Sequence, residues 1–474
     1  MKKIFLFLII AALPFLSCRK DLSSLNVDPK HTDNAPPETL FSTGQKAAVD
    51  WVTSANVNNN IFRLITQQWT EVTYVDESNY DLGTRAIPDN WWRDLYKLTL
   101  VNLDAAKKLI PGNVLDSAEK RNKLAMVDIM EVYVWTLLVN TFGDVPYSEA
   151  LNPDNFFPKY DDAKTIFYDL LNRLDNDIAT LDPTAPGFGD ADLIYAGNVD
   201  EWLKFANSLK LRMGITISDF DPAKAASVIL SAAPGAFTSN DDNATLVYLG
   251  TSPNTNPVYV DLVQGGRNDF VPANTIVDLM NSLNDPRRPL YFTTINGIYK
   301  GGVPGLGNGY ATLSHVSDPI KEPDAPATIM DYAEVEFILA EAIERGIAVG
   351  GTAQEHYNNA VTASILEWGG SAADAAAYLA QPSVNYATAP GTYKQKIGIQ
   401  KYIALFNRGF DAWVEQRRLD YPQLVAPATA LSEYPVRLTY PAAEQNLNST
   451  SYHAAVVAMG GTDDVTHKLF WDLY

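Results

Sequence analysis

Asp331-Tyr332-Ala333-Glu334-Val335-Glu336-Phe337-Ile338-Leu339-Ala340-Glu341-Ala342-Ile343-Glu344-Arg345-Gly346 is the stretch that decides the class of fold. Val335, Ile338, Leu339 and Ala342 recur at helical spacing and share one face, and Gly346 supplies a C-terminal stop. Glu341 and Arg345 stand four apart, which predicts an ion pair along the same helix. Comparable periodicity runs through about 39–57, 90–110, 116–141, 163–181, 199–218, 352–368 and 397–418. Short polar turns such as Asp182-Pro183 and Asp221-Pro222 favour antiparallel neighbours. No strict 34-residue repeat is present, yet helix-turn-helix pairs of about that spacing recur. The expectation is a mainly α fold of tetratricopeptide-like helix pairs forming a scaffold, with little β and long irregular loop excursions at about 233–327 and 421–474.

Composition removes several functions. Of 474 residues 46% are apolar and 19% charged, which is neither disordered nor low-complexity. With 36 Lys+Arg against 56 Asp+Glu the net charge is −20, so nucleic acid is not an expected partner. A single cysteine excludes an intramolecular disulfide and any cysteine-rich metal centre. The five histidines, His31, His315, His356, His453 and His467, never fall at i, i+3 or i+4, so no zinc site is read from them. Asp190 with Asp192, and Asp241 with Asp242, lack the spacing and glycine of a calcium-binding helix-loop-helix. Gly305 to Gly309 has neither the leading strand nor the Lys-Ser/Thr pair of a phosphate loop. Ser117-x-x-Lys120 lacks the companion motifs of the penicillin-recognising enzymes. No catalytic residue, metal or cofactor is assigned.

The N-terminus carries its own information. Lys2 and Lys3 precede an apolar run from Ile4 to Leu16, followed by Ser17 and Cys18. That is a secretory signal, too short to span a bilayer, which needs ~20 apolar residues. Phe15-Leu16-Ser17-Cys18 resembles a bacterial lipobox, which makes Cys18 the expected lipid attachment point and leaves a mature chain without cysteine. The expected organisation is therefore a removed signal at 1–17, a lipidated tether at 18–37, and one helical domain at 38–474. Several acyl chains on Cys18 would hold the protein at a membrane without a transmembrane helix. The tether could span up to ~60 Å at ~3.3 Å per residue.

Aromatic residues, 11% of the chain, are the richest source of candidate binding groups. Trp135, Trp202, Trp368 and Trp413 fall in periodic helices and are expected to be core. The segment from Trp69 to Trp92 is different, because Trp69, Tyr74, Tyr80, Trp91 and Trp92 alternate with Asp76, Asn79, Asp81 and Arg85 in what reads as a loop between helices. Flat aromatic faces beside hydroxyl-bonding polar groups suit sugar rings. The expected ligand-binding set is Trp69, Tyr74, Tyr80, Asp81, Arg85 and Trp91, with Asn268 and Tyr310 from the 233–327 excursion. Arg417-Arg418 after Trp413 is expected to be structural, one side chain inward and the other solvated.

Several motifs in order carry a family resemblance. They include Asn26-Val27-Asp28-Pro29, Phe142-Gly143-Asp144-Val145-Pro146-Tyr147, the run from Trp202 to Met213, and Asn284-Asp285-Pro286-Arg287. Tyr332-Ala333-Glu334-Val335, Gln400-Lys401-Tyr402, Arg417-Arg418, Arg437-Leu438-Thr439-Tyr440-Pro441 and Trp471-Asp472 complete the series. Over most of its length the chain resembles the SusD/RagB family of surface nutrient-binding lipoproteins, in its SusD-like branch. The resemblance implies a tetratricopeptide-like helical fold, no enzymatic activity, and an outer-membrane, lipid-anchored, surface-exposed location. It also implies a SusC-like TonB-dependent β-barrel transporter as partner, with the lipoprotein as its lid. Ligand residues in that family lie in variable loops and are not carried over. Capture of an oligosaccharide and its delivery to the transporter is the reading that follows. A peptide-binding lipoprotein of the same system, a surface glycosidase with two converging carboxylates, and a purely structural scaffold remain open beside it.

Overall fold

The computed structural model describes residues 35–474. The signal at 1–17, Cys18 and nearly all of the expected tether lie outside them. From Pro37 to Tyr474 the chain forms one compact unit.

The first half is built from α1 (Pro37–Thr53), α2 (Phe62–Ile65), α3 (Ile87–Asp94), α4 (Val101–Asn113), α5 (Ser117–Phe142), α6 (Ala163–Thr180), α7 (Val199–Thr216) and α8 (Pro222–Ala232). α1 packs on α4, α5 on α6, and α7 on α8. Gly44 lets α1 approach closely, because a Cβ there would meet the Leu103 side chain at 2.8 Å. Capping side chains set the starts: Asp116, Asp162, Asn198 and Asp221 each accept a backbone N–H of the first turn. α5 is long and apolar enough to cross a membrane, but 94% of its apolar window is buried by neighbouring helices. It is the central core helix.

The second half contains α9 (Pro257–Tyr259), α10 (Asn274–Ser282), α11 (Arg288–Tyr291), α12 (Tyr332–Glu344), α13 (Ala353–Glu367) and α14 (Ala372–Leu379). α15 (Tyr393–Ala404), α16 (Gly409–Leu419), α17 (Ala442–Leu447) and α18 (Ser449–Ala458) follow. α12 is the stretch quoted at the outset. Asp331 caps it by accepting from the Glu334 N–H, and it packs on α13 and α15. Its end is a Schellman turn: Gly346 takes φ +79°, and Ile347 N–H donates to the Ala342 carbonyl. Val335, Ile338 and Ala342 are fully buried, but so are Phe337 and Ala340, and Glu341 is sealed with them. The Glu341–Arg345 pair forms at 2.7 Å.

Strand content is small, as expected. β1 (Trp69–Glu71) pairs antiparallel with β3 (Phe270–Pro272), and β2 (Ala244–Leu246) pairs with β4 (Ala327–Met330) across a bulge. Each pair ties part of the 233–327 excursion back to the helical frame. That excursion is more ordered than its Gly, Pro and Asn content suggests, since it holds α9 to α11 as well as two of the strands.

Two helical expectations are revised. Residues 397–418 do not form one helix: α15 stops at Ala404, and Asn407 turns the chain with φ +68°. Gly409 then passes so close to α2 that a Cβ would meet the Arg63 backbone nitrogen at 2.5 Å. The predicted helix over 90–110 is interrupted by a π turn at Leu95–Leu100. Arg417 and Arg418 are both buried, contrary to the expectation that one is solvated. Arg418 bonds Glu341 and Glu415, while Arg417 stacks on Trp413 at 3.6 Å and donates to the Val436 and Asn140 carbonyls. Burial without a close carboxylate pushes Arg417 down to about 9, with Asp472 opposing.

Candidate functional site

The β1–β3 ladder brings three loops together. Beyond β1, Val72 N–H donates to the Asp269 carbonyl at 2.8 Å, and Asn308 N–H donates to the Val72 carbonyl at 2.7 Å. Asn308 Nδ2 also bonds the Glu71 and Leu306 carbonyls, at 2.8 and 2.7 Å. Asn79 Nδ2 donates to the Gly305 carbonyl at 2.8 Å. Gly305 is required here by its φ of +75° and by Asn79 and Pro427, which occupy the space a Cβ would need. The glycine-rich run 305–309 is therefore a pinned wall beside the 72–81 segment.

On this frame sits a cavity of about 310 Å³ lined by Arg267, Asn268, Asp269, Phe270, Tyr310 and His315, with Leu262, Val263, Gly266, Val316 and Lys321. Tyr310 is half-buried, its ring stacked on His315 at 3.8 Å and 14°, and His315 Nε2 is 2.9 Å from the Tyr310 carbonyl. One tyrosine ring is thus fixed in orientation by the imidazole behind it. Arg267 pairs with Asp269 at 2.5 Å, which raises its guanidinium above the ordinary value; the nearby Tyr74 acts in the same direction. Tyr74 is 64% exposed. Asn268 is exposed at the cavity edge.

Of the eight residues expected to contact ligand, the structure brings Tyr74, Asn268 and Tyr310 to this surface. Trp69, Tyr80 and Trp91 are 1%, 3% and 1% exposed, and no ligand can stack on them. Trp69 lies in β1 under the Arg63 guanidinium at 5.1 Å. Trp91, in α3, packs between Phe62 and Phe410 and donates its indole N–H to Thr141 Oγ1 at 3.2 Å. Tyr80 is turned inward at φ +65°, edge-on to Tyr434. Trp92 is core as well. The segment read as a loop is a strand, a short 3₁₀ turn and a helix, and packing accounts for four of its five aromatics.

The two polar residues of that segment in the expected ligand-binding set have structural partners. Asp81 accepts from the Gly83 and Thr84 N–H groups and, at 2.6 Å, from the Thr84 hydroxyl, and these bonds hold its carboxyl below the usual range. Arg85 neutralises the buried Glu77. Glu77 lies against Glu71, whose carboxyl is pushed up by burial and by the facing Glu77. The residues missed in the sequence are Arg267 and His315. The first directly follows two glycines, Gly265-Gly266, and the second is five residues beyond Tyr310.

A sequence profile described as "Starch-binding associating with outer membrane", that of the SusD-like family, matches residues 29–441. The chain belongs to the SusD-like family. A solved structure titled as a chitin-binding protein superposes with a TM-score of 0.80 at 27% identity, covering 92% of this chain and 100% of its own. A SusD homologue from Bacteroides uniformis gives 0.78 at 27% identity, covering 92% and 99%. A chitin-binding SusD homologue from Flavobacterium johnsoniae gives 0.79 at 23% identity, covering 91% and 98%, and supports the shared fold. No curated protein matches the chain. The mainly helical SusD-like architecture expected from the sequence is thus the one observed.

Proposed function

We propose that the protein is a nutrient-binding lipoprotein of the outer membrane that captures oligosaccharides on the face carrying Tyr74, Arg267, Asn268 and Tyr310. It acts by binding, without turnover. The observation that carries this reading is the pairing of two accessible tyrosine rings, one oriented by His315, with a cavity edged by Arg267, Asn268 and Asp269 on a hydrogen-bonded backbone. Rings offer faces to sugar C–H groups, and the polar edge offers donors and acceptors to hydroxyls. The family's starch-binding description and the 27% identical chitin-binding neighbour support a glycan ligand. Lipid attachment at Cys18 and delivery to a SusC-like TonB-dependent barrel complete the proposal. Modest affinity suits hand-over: Kd near ~1 mM corresponds to only about −4 kcal/mol and permits release.

The test is calorimetric titration with starch and chitin oligosaccharides, on the intact mature chain and on Tyr74→Ala/Tyr310→Ala. Loss of about tenfold in affinity, equal to ~1.4 kcal/mol, with an unchanged melting temperature is expected. Full retention of binding by the double variant would place the ligand elsewhere. Release of reducing ends from the same glycans would instead favour a glycosidase.

A further inference from the structure

A second cavity, of about 250 Å³, opens between the end of α1, the 319–331 segment and the α15–α16 junction. Ile320, Phe406 and Phe410 make a buried apolar floor, while Pro319, Pro326 and Glu367 are exposed at the mouth. Trp368 forms part of the wall. It was expected to be core like Trp135, Trp202 and Trp413, yet it is only half-buried, with Tyr291 packed against its ring at 4.6 Å.

The charge around this cavity is unbalanced. Arg408 bonds Asp331 at 2.8 Å, Asp411 at 2.7 Å and Glu334 at 2.7 Å, and Arg212 bonds both oxygens of Glu334 at 2.6 Å. Arg63, behind Thr53 and Asn407, faces Asp261. Counting Glu367, two guanidiniums meet four carboxylates. Glu367 forms no ion pair among the described residues, and its carboxyl is raised by desolvation of the carboxylate and by Asp331, with Asn243 and Arg408 opposing. Negative charge left over in a partly enclosed, aromatic-walled space is stabilised by a cation. A hard metal ion is the poorer fit, since calcium takes about six to eight oxygens. Asp331, Asp411 and Glu334 already spend theirs on arginine, and no metal-holding cluster exists among the described residues.

We propose that this cavity binds a protonated primary amine carried on a monosaccharide-sized body, the ammonium at Glu367 and the body against Trp368 and Phe406. An amino sugar and an amino-acid derivative share that chemistry. The site is separate from the Tyr74–Tyr310 face and does not depend on its assignment.

The test is titration of the full mature chain with glucosamine, N-acetylglucosamine and an amino-acid amide. At least one amine is expected to bind, about tenfold more tightly than the uncharged N-acetylglucosamine, and the tighter amine identifies the source. Glu367→Gln and Trp368→Ala should each weaken it about tenfold, while Tyr310→Ala should leave it unchanged. The melting temperature of Glu367→Gln should not fall below the parent's, because Glu367 is exposed, forms no ion pair and has its carboxyl raised by its surroundings. The proposal is overturned if N-acetylglucosamine binds as well as the tighter amine, if neither amine binds, if Glu367→Gln keeps full affinity, or if Tyr310→Ala abolishes binding.

Discussion

Glu341→Gln is the perturbation whose size follows most directly from the structure. The carboxylate is fully buried in α12 and receives both Arg418 nitrogens, at 2.5 and 2.6 Å, and the Arg345 Nε at 2.7 Å. Burial alone would raise its pKa, but Arg418, with Arg345 beside it, holds it at about 2 instead of 4.5. Because the folded value is depressed, the stabilisation is present above the unfolded value of 4.5 and is lost as pH falls from there toward about 2. At ~1.4 kcal/mol per unit it amounts to roughly 3 kcal/mol at neutral pH, in the range measured for breaking buried ion pairs. At about pH 3.5 roughly 1 kcal/mol of it has gone. Unfolding a domain of this length carries an entropy of about 0.9 kcal/mol/K, so the variant should melt ~3 °C lower at neutral pH. Scanning calorimetry of both proteins at neutral pH and at about pH 3.5 measures this. The reasoning fails if the two melt together at neutral pH, or if their separation widens on acidification.

Other consequences can be checked alongside. Gly409→Ala drives a methyl into the Arg63 backbone and should cost about 2–3 kcal/mol in urea unfolding, with no change in ligand affinity per folded molecule. Trp91→Ala should lower stability by about 3–5 kcal/mol, whereas Tyr74→Ala should melt with the parent, which separates the core aromatic from the exposed one. His356 is raised by its 2.7 Å contact with Glu336, so its contribution is complete below the ordinary histidine value and is lost as pH rises through the raised one. His356→Gln should therefore destabilise the protein more at mildly acidic than at mildly alkaline pH. Cys18→Ala should move the protein from the membrane fraction to the soluble periplasm, and unchanged retention would remove the anchor.

The scaffold was legible because helices announce themselves locally. Apolar spacing in 331–346 and polar turns such as Asp221-Pro222 report on neighbours within a turn or two. The break at Asn407 was not legible, since it is imposed by α2, more than three hundred residues earlier in the chain, against which Gly409 must pass. The candidate site divided the same way. Tyr74, Asn268 and Tyr310, chosen by residue type, lie at the candidate surface, but Trp69, Tyr80 and Trp91 share that chemistry and differ only in burial. Burial there depends on Phe270, Tyr434 and Phe410, which sequence order places far away. Trp368 failed in the opposite direction, because helical spacing marks a face and does not say whether a cavity opens on it.

The central claim is that a glycan lies on the Tyr74–Tyr310 face. Its most direct test is a crystal structure of the mature protein with the tightest-binding oligosaccharide of the starch and chitin series. The account predicts one sugar ring against Tyr310, backed by His315, and another against Tyr74, with hydroxyls at Asn268 and Arg267. Sugar bound anywhere else, or none bound at saturating concentration, would contradict it.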